Sequence, residues 1–274
     1  MNGEMEDKKV TLRPRSVIEK QMDRVFIWLT KLFAIAVAAI LLLIAVQVGS
    51  KAIPAWSEYG LGFLTNSTWN PVNNEYGVLA TIYGTIASSV IALLLAVPIG
   101  VGTAVLLSEN FLPLSLRTVL VFLIEMLAAI PSVVYGLWGI FVLIPILNQI
   151  GGWLNAYFGW LPIFSTTPQG PGMLPAGVVL TIMILPIITA ISRDALISLP
   201  PELRQAAVGL GATRWETIFK VLIPAAFSGI VGGIMLGLGR AMGETMAVTM
   251  VIGNSNNISP SLLAPANTIS SLLA

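Results

Sequence analysis

Five long apolar blocks constrain the fold of this 274-residue sequence more than any other feature. They lie at about residues 25–48, 77–107, 118–147, 173–192 and 223–252. A helix needs about 20 apolar residues to cross the hydrocarbon core of a bilayer, and each block is long enough to do so. Alternating ten-residue segments, which are typical of an outer-membrane barrel, do not occur in the sequence. The sequence therefore predicts an all-α polytopic membrane protein.

Composition supports this class and removes several kinds of chemistry. The chain is 56% hydrophobic and 10% charged, with a mean hydropathy of +0.88, whereas a soluble domain carries about 25% charged residues. Without Cys or His, it has no disulfide, no thiolate metal site and no imidazole proton shuttle. The net charge of +1 gives no indication of nucleic-acid binding. We expect no cofactor, no metal and no enzymatic activity in this chain.

The distribution of Lys and Arg predicts the topology, because positive residues accumulate on the cytoplasmic side. Of 14 such residues, only Lys51 lies in a predicted external loop, and Lys31 and Arg240 lie within spans. The other 11 fall on the predicted cytoplasmic side: Lys8, Lys9, Arg13, Arg15, Lys20, Arg24, Arg117, Arg193, Arg204, Arg214 and Lys220. We predict a cytoplasmic basic tail at residues 1–25, a transmembrane domain at 26–274, and external loops at 49–76 and 148–172.

The polar segment at residues 195–222 is predicted to be a cytoplasmic coupling loop. Pro200, Pro201 and Glu202 favour a helix start, since proline suits the first turn and the carboxylate complements the helix dipole. This helix should end near Gly209 or Gly211, and a second short helix should begin near Thr213. An ordinary connecting loop is the alternative interpretation.

The spacing of particular residues in this segment resembles a known motif. Gln205-Ala206-Ala207, three residues, Gly211, nine residues and then Val221-Leu222-Ile223-Pro224 is similar to the EAA loop of bacterial ABC importer permeases. Gln205 replaces the motif glutamate and Val221 replaces an isoleucine. The resemblance implies coupling helices that dock on a cytoplasmic ATPase.

The aromatic residues and the energy source fit such a loop. Trp215 and Phe219 are four residues apart and should share one helix face, as an anchor for a partner or for the base of the bundle. The sequence contains no G-x₄-G-K-[ST] phosphate loop. We therefore expect ATP hydrolysis on a partner chain.

Arg240 and Glu244 are the strongest candidates for a substrate path. They are four residues apart, which would place them on one helix face, within a block where charge is costly unless it faces a cavity or a partner. One interpretation is an ion pair that holds helices together. The other is an anion site in which Arg240 binds the anion and Glu244 accepts a hydrogen bond from a protonated oxyanion such as hydrogen phosphate, which fully ionised sulfate cannot donate.

Three further residues are weaker candidates for the path. Glu125 lies about one turn inside the third block and is either a path residue or a solvated helix end. Ser132 and Tyr135, beside Pro131, carry hydroxyl groups that can donate to an anion. Both residue types are also common in helix packing.

Three segments resemble the PstC-type permeases of phosphate ABC importers: LGRAMGETMAVTMVIGN (Leu238–Asn254), AAIPSVVYGLWGIFVLIP (Ala128–Pro145) and YGTIASSVIALLLAVPIGVGTAVLLSE (Tyr83–Glu109). The resemblance implies a type I ABC importer fold (MetI-like) in the bacterial cytoplasmic (inner) membrane. It also implies phosphate as substrate, with Arg240 and Glu244 linked to its translocation. The implied partners are a PstA-like permease in a heterodimer, two PstB-like ATPases and a PstS-like phosphate-binding protein.

The resemblance leaves one difference and two alternatives. The resemblance implies six spans, whereas five are visible in this sequence, so we expect either an incomplete chain or a shortened variant. A permease for another oxyanion such as sulfate remains an alternative. So does a secondary anion transporter, although the sequence lacks the two matching repeats with broken helices that are typical of that class.

Overall fold

The computed structural model describes residues 16–109 and 111–274. Most of the predicted basic tail, including Lys8, Lys9, Arg13 and Arg15, lies outside the described residues. The chain divides into two units, residues 1–60 and 61–274, which are described separately. Of the described helices, four are long and apolar enough to cross a membrane. A fifth is added if the bent pair Arg214–Ala225 and Phe227–Gly243 counts as one span.

The described residues of the first unit form one helix, α1 (Val17–Tyr59). It begins with a capping box, in which the Ser16 hydroxyl accepts from the Glu19 amide and the Glu19 carboxylate accepts from the Ser16 amide. The helix is 43 residues long and exceeds the predicted span at both ends. The prediction of a loop from residue 49 is therefore wrong up to Tyr59, because Pro54 is accommodated inside the helix.

The second unit is a helical bundle with one small hairpin. Its hairpin pairs β1 (Trp69–Asn70) with β2 (Glu75–Tyr76) in antiparallel register. Its helices are α2 (Gly62–Thr65), α3 (Leu79–Ser108), α4 (Leu114–Ala129), α5 (Ser132–Trp138), α6 (Ile144–Phe158), α7 (Met173–Ile197), α8 (Pro201–Gly209), α9 (Arg214–Thr217), α10 (Ile223–Ala225), α11 (Phe227–Gly243), α12 (Met246–Val251) and α13 (Ile269–Leu272). Turns of π-helix at Gly139–Leu143 and Ile218–Leu222 join α5 to α6 and α9 to α10, and Pro162–Phe164 is a 3₁₀ turn.

The pair of α3 and α7 forms the centre of the bundle. Small residues repeat every four positions along the buried face of α3, at Ala92, Ala96, Gly100 and Ala104. A Cβ at Gly100 would lie 3.0 Å from the Ile188 side chain of α7. Small residues at this spacing let two membrane helices approach closely, where van der Waals contact replaces the hydrophobic effect. The sequence pattern thus explains why α3 and α7 pack as one body.

Three predicted segments differ from the structure. Residues 148–158 were predicted as loop but continue α6. The third predicted span, 118–147, is divided between α4 and α5, because Pro131 lacks an amide hydrogen and Ile130 adopts an extended conformation. The fifth, 223–252, breaks at Ala226 and again after Gly243. In the first of these breaks, the helices on either side meet at 69°.

The C-terminal segment, residues 253–274, folds back onto α3. The Tyr83 hydroxyl donates to the Ser259 carbonyl at 2.7 Å, and the Ile269 amide donates to the Thr85 hydroxyl at 3.0 Å. Gly84 lies between these contacts, and a Cβ there would overlap the backbone carbonyl of Asn267.

Replacing Gly84 by alanine should therefore destabilise the protein by about 1–3 kcal/mol, the usual cost of overpacking. The measurement is thermal unfolding of the purified protein in detergent. Gly102→Ala is the matched control, since Gly102 is on the same helix with open space around its Cβ position. Equal melting temperatures for the two variants would contradict the proposed contact.

Candidate functional site

The fifth predicted span is discontinuous at its charged residues. Helix α11 ends at Gly243, and Glu244 has extended backbone angles of φ −72° and ψ 122°. The prediction that Arg240 and Glu244 share a helix face is wrong, because the helix does not continue through Glu244. No ion pair joins these two side chains among the described residues. The interpretation as a structural ion pair is not supported by this geometry.

The break leaves backbone carbonyls without helical partners, and a residue of the C-terminal segment binds them. The Ser270 hydroxyl lies 2.9 Å from the Glu244 carbonyl and 3.4 Å from that of Met242. Unsatisfied carbonyls within a membrane cost several kcal/mol each, so this buried hydroxyl stabilises the broken conformation. The Glu244 carboxylate accepts a long hydrogen bond, 3.4 Å, from the Ala247 amide at the start of α12. Sequence reasoning missed Ser270, since 26 residues separate it from Glu244.

Arg240 lies in the last turn of α11 and is exposed. Within the part of the chain that the structure describes, it makes no hydrogen bond and no ion pair. Its charge acts on the hydroxyl of Tyr135. An arginine without a partner, inside a span and beside a helix break, leaves its five donors available to an anion.

Tyr135 is buried and spans the break between α4 and α5. Its hydroxyl donates to the Leu127 carbonyl at 2.8 Å, which uses its hydrogen and leaves its oxygen as an acceptor. Ser132, in the first turn of α5, is half-buried and is not joined to Arg240 by a hydrogen bond. The structure thus brings Tyr135 within electrostatic range of Arg240.

Glu125 belongs to a different place in the bundle. It lines a cavity of about 180 Å³ between α4 and α7, together with Thr189 and Arg193. Arg193 pairs with the neighbouring Asp194 at 2.9 Å. No hydrogen bond or ion pair in the described residues links Glu125 to Arg240 or Glu244.

Residues 195–222, which are predicted to be a coupling loop, form what we call the coupling segment. This segment has the two helices that the sequence predicts. Helix α8 begins at Pro201 and ends in a motif in which the Gly211 amide donates to the Val208 carbonyl at 2.9 Å and the Ala212 amide to the Ala207 carbonyl at 3.0 Å. This Schellman arrangement requires a left-handed residue at Gly211, where φ is +84°. Gln205 and Ala206 are exposed, whereas Ala207 is buried. The distance in sequence from Gln205 to Gly211 in the motif therefore matches a helix that ends in a C-terminal glycine cap.

Helix α9 starts with a second capping box, between Thr213 and Glu216. The Thr213 backbone amide, the Lys220 ammonium group and the Thr213 hydroxyl all bind the Glu216 carboxylate and lower its pKa to about 2. Because this pKa is below the ordinary 4.5, the cap is fully formed above pH 4.5 and is lost as the pH falls toward 2.

Aromatic side chains form a stack beside this helix. The Trp215 ring lies 5.9 Å from that of Phe219, as their four-residue spacing predicts, and 5.5 Å from that of Phe111. The Arg214 guanidinium carbon lies 3.7 Å from the centroid of the Phe111 ring. Trp215 and Phe219 remain exposed, so the stack presents an apolar surface with one cation beside it.

Sequence reasoning also missed the ion pair between Arg204 and Glu109, 3.0 Å apart. Ninety-five residues separate the two, so no local spacing predicts the contact. Among the described residues, no group of three acidic, His or Cys side chains is placed to hold a metal ion.

The sequence of this chain is similar to those of known membrane transport components. Residues 96–269 match the family described as binding-protein-dependent transport system inner membrane component. The chain is 45% identical to the phosphate transport system permease protein PstC of Mesorhizobium japonicum, over 92% of this chain and 78% of that protein. It is 44% identical to the protein of the same name from Pasteurella multocida, over 89% and 78%.

One archaeal relative and one solved structure extend the comparison. The chain is 37% identical to the probable phosphate transport system permease protein PstC of Methanocaldococcus jannaschii, over 82% of this chain and 72% of that protein. An inward-facing structure of the MetNI methionine ABC transporter aligns with 64% of this chain and 70% of its own chain, at 24% identity and a TM-score of 0.44.

Proposed function

The chain belongs to the family of binding-protein-dependent transport system inner membrane components, and from that premise we propose that it is the PstC-type permease subunit of an ATP-driven phosphate importer. The observation that supports phosphate as the substrate is the 45% identity to a PstC permease over 92% of the chain. Permeases for other oxyanions, sulfate in particular, are the second candidate. A secondary transporter is not consistent with this family.

The translocation path in this proposal runs past Arg240. Its planar guanidinium offers paired donors that suit a phosphate oxyanion, and the absence of a hydrogen-bond or ion-pair partner for it among the described residues supports this role. The break after Gly243 also supports it, because irregular backbone at membrane depth is tolerated only where it is buried in protein or lines a cavity.

Glu244 is proposed to distinguish phosphate from sulfate. Its carboxylate repels any anion, but hydrogen phosphate can donate a hydrogen bond to it and sulfate cannot. Glu244→Gln should therefore weaken phosphate uptake about tenfold and leave sulfate competition unchanged or stronger, since one charged hydrogen bond is worth about 1.5–3 kcal/mol. Phosphate uptake with sulfate as competitor is the measurement. If the variant weakens phosphate uptake and sulfate competition equally, Glu244 does not select the substrate.

Transport is proposed to be driven by a separate ATPase that binds the coupling segment. The partners would be a PstA-like permease, two PstB-like ATPases and a PstS-like binding protein. ATP-driven closure of the ATPases would move α8 and α9 and switch the bundle between inward- and outward-open states. The excess of Lys and Arg on one side supports a cytoplasmic N-terminus in the inner membrane.

The test of the proposed function is uptake of radiolabelled phosphate in cells that lack their own importer and receive this chain with the three partner subunits. Uptake that requires this chain and ATP supports the proposal. If the cells instead take up sulfate, the second candidate is correct. Omitting the ATPase subunit serves as the control for diffusion and for endogenous carriers.

A further inference from the structure

We propose that Arg204 is the positioning residue through which movement of the coupling segment reaches α3 and α7. This inference rests on the proposed function and adds the route by which ATP hydrolysis is coupled to transport. It starts from the ion pair of Arg204 with Glu109, which joins α8 to the residue that follows α3.

The guanidinium group of Arg204 binds two separate elements at once. Its Nε and Nη2 atoms each lie 3.0 Å from one carboxylate oxygen of Glu109. The Nη2 atom also donates to the Leu196 carbonyl at 2.9 Å, and Nη1 donates to the Leu199 carbonyl at 3.4 Å. Leu196 lies in the last turn of α7, where the carbonyls lack helical partners and the helix dipole favours a cation. One side chain therefore holds α8 against the cytoplasmic ends of both α3 and α7.

The surroundings make this contact stronger than an ordinary surface ion pair. The side chains of Arg204 and Glu109 are 26% and 14% exposed, so water screens them only partly. Ion pairs between solvent-exposed side chains, by contrast, contribute little to the free energy of unfolding. Arg193 with Asp194 is such a pair, since the Asp194 side chain is 67% exposed and adjacent to Arg193 in the same helix.

Helix α8 has two faces that fit a transmitting role. Arg204 and Ala207, three residues apart, face the bundle, and Ala207 is buried. Gln205 and Ala206 are exposed on the other side. A partner that pushes on the exposed face acts on the same rigid turn that carries Arg204. Because α3 and α7 pack closely through small residues, a displacement at their ends moves them together.

The test compares transport with ATP hydrolysis in the reconstituted complex. Arg204→Gln and Glu109→Gln should each lower phosphate uptake about tenfold, the loss expected from one charge-assisted hydrogen bond. ATP hydrolysis should fall less than about twofold, so the ATP consumed per phosphate rises. Arg204→Lys keeps the charge but not the fork of donors, and its uptake should lie between that of the wild type and that of Arg204→Gln. Asp194→Asn is the matched control and should leave the ratio unchanged.

A second readout does not depend on the substrate. The chain contains no Cys, so Leu106→Cys near the end of α3 provides a single labelling site. ATP should change its rate of reaction with a thiol reagent in the otherwise wild-type complex, and Arg204→Gln should abolish that change. If uptake and ATP hydrolysis fall in parallel with the amount of assembled complex, or if the labelling change persists, the inference is wrong. Absence of phosphate uptake in the wild type would refute the proposed function, while the labelling experiment would still decide the role of Arg204.

Discussion

The Arg240→Gln variant should take up phosphate at about one hundredth of the wild-type rate, when both are present at equal abundance with their partner subunits. The variant loses the positive charge and the paired donors, and hydrogen bonds to charged groups are worth about 1.5–3 kcal/mol each. Losing two of them corresponds to at least a factor of about one hundred. Initial rates of radiolabelled phosphate uptake provide the measurement.

Two further variants define the result for Arg240. Arg240→Lys retains the charge without the planar fork, so its uptake should be intermediate. Arg117→Gln removes a cation near the start of α4 and should leave uptake unchanged. Uptake that survives in Arg240→Gln would show that this arginine does not bind the transported anion. The proposal that phosphate is the substrate would then rest on the similarity to PstC permeases alone.

The Leu210→Asp variant should lose association with the ATPase subunit. Leu210 follows α8 and is 89% exposed, so a partner docked on the coupling segment would bury it. Burying a leucine contributes about 1.5–3 kcal/mol, and burying an unpaired carboxylate instead adds a further cost. We expect affinity to fall at least about thirtyfold, measured as the amount of ATPase that co-purifies with this chain.

The matched control for this variant is Val72→Asp. Val72 is also 89% exposed but lies in the hairpin that we predict to be external. The same charge placed there should leave ATPase association unchanged. Equal co-purification in Leu210→Asp and wild type would exclude this part of the coupling segment from the interface.

The fold was predictable where hydrophobic length decides it. Blocks of apolar residues predict membrane helices because an unpaired backbone is too costly in lipid. Their ends are less certain, because aromatic and polar residues near an interface are compatible with either helix or loop. For this reason residues 49–59 and 148–158 were assigned to loops. The break at Ile130 follows from the adjacent Pro131, whereas the break after Gly243 is stabilised by a contact with the distant Ser270.

Sequence spacing did not predict the geometry of the candidate site at Arg240 and Glu244. Local spacing was sufficient for the coupling helices, since the proline start, the Gly211 cap and the Thr213 cap are all short-range signals. The shared face of Arg240 and Glu244 was wrong because Ser270, from the C-terminal segment, stabilises the break between them. Arg204 and Glu109 carried no signal, as pairing across 95 residues is set by tertiary structure.

The π-helical turn at Ile218–Leu222 changes the rotation of the helix within the nine residues that separate Gly211 from Val221. A π-turn accommodates one residue more than an α-turn, and each residue of an α-helix advances the azimuth by about 100°. Trp215, which precedes this turn, is thus offset in phase from the helix that follows it, while Ile218 and Leu222 both stay buried. If, as we propose, an ATPase binds at Trp215, its movement would rotate the following helix as well as displace it, and the number of residues between Gly211 and Val221 would set the direction of that rotation.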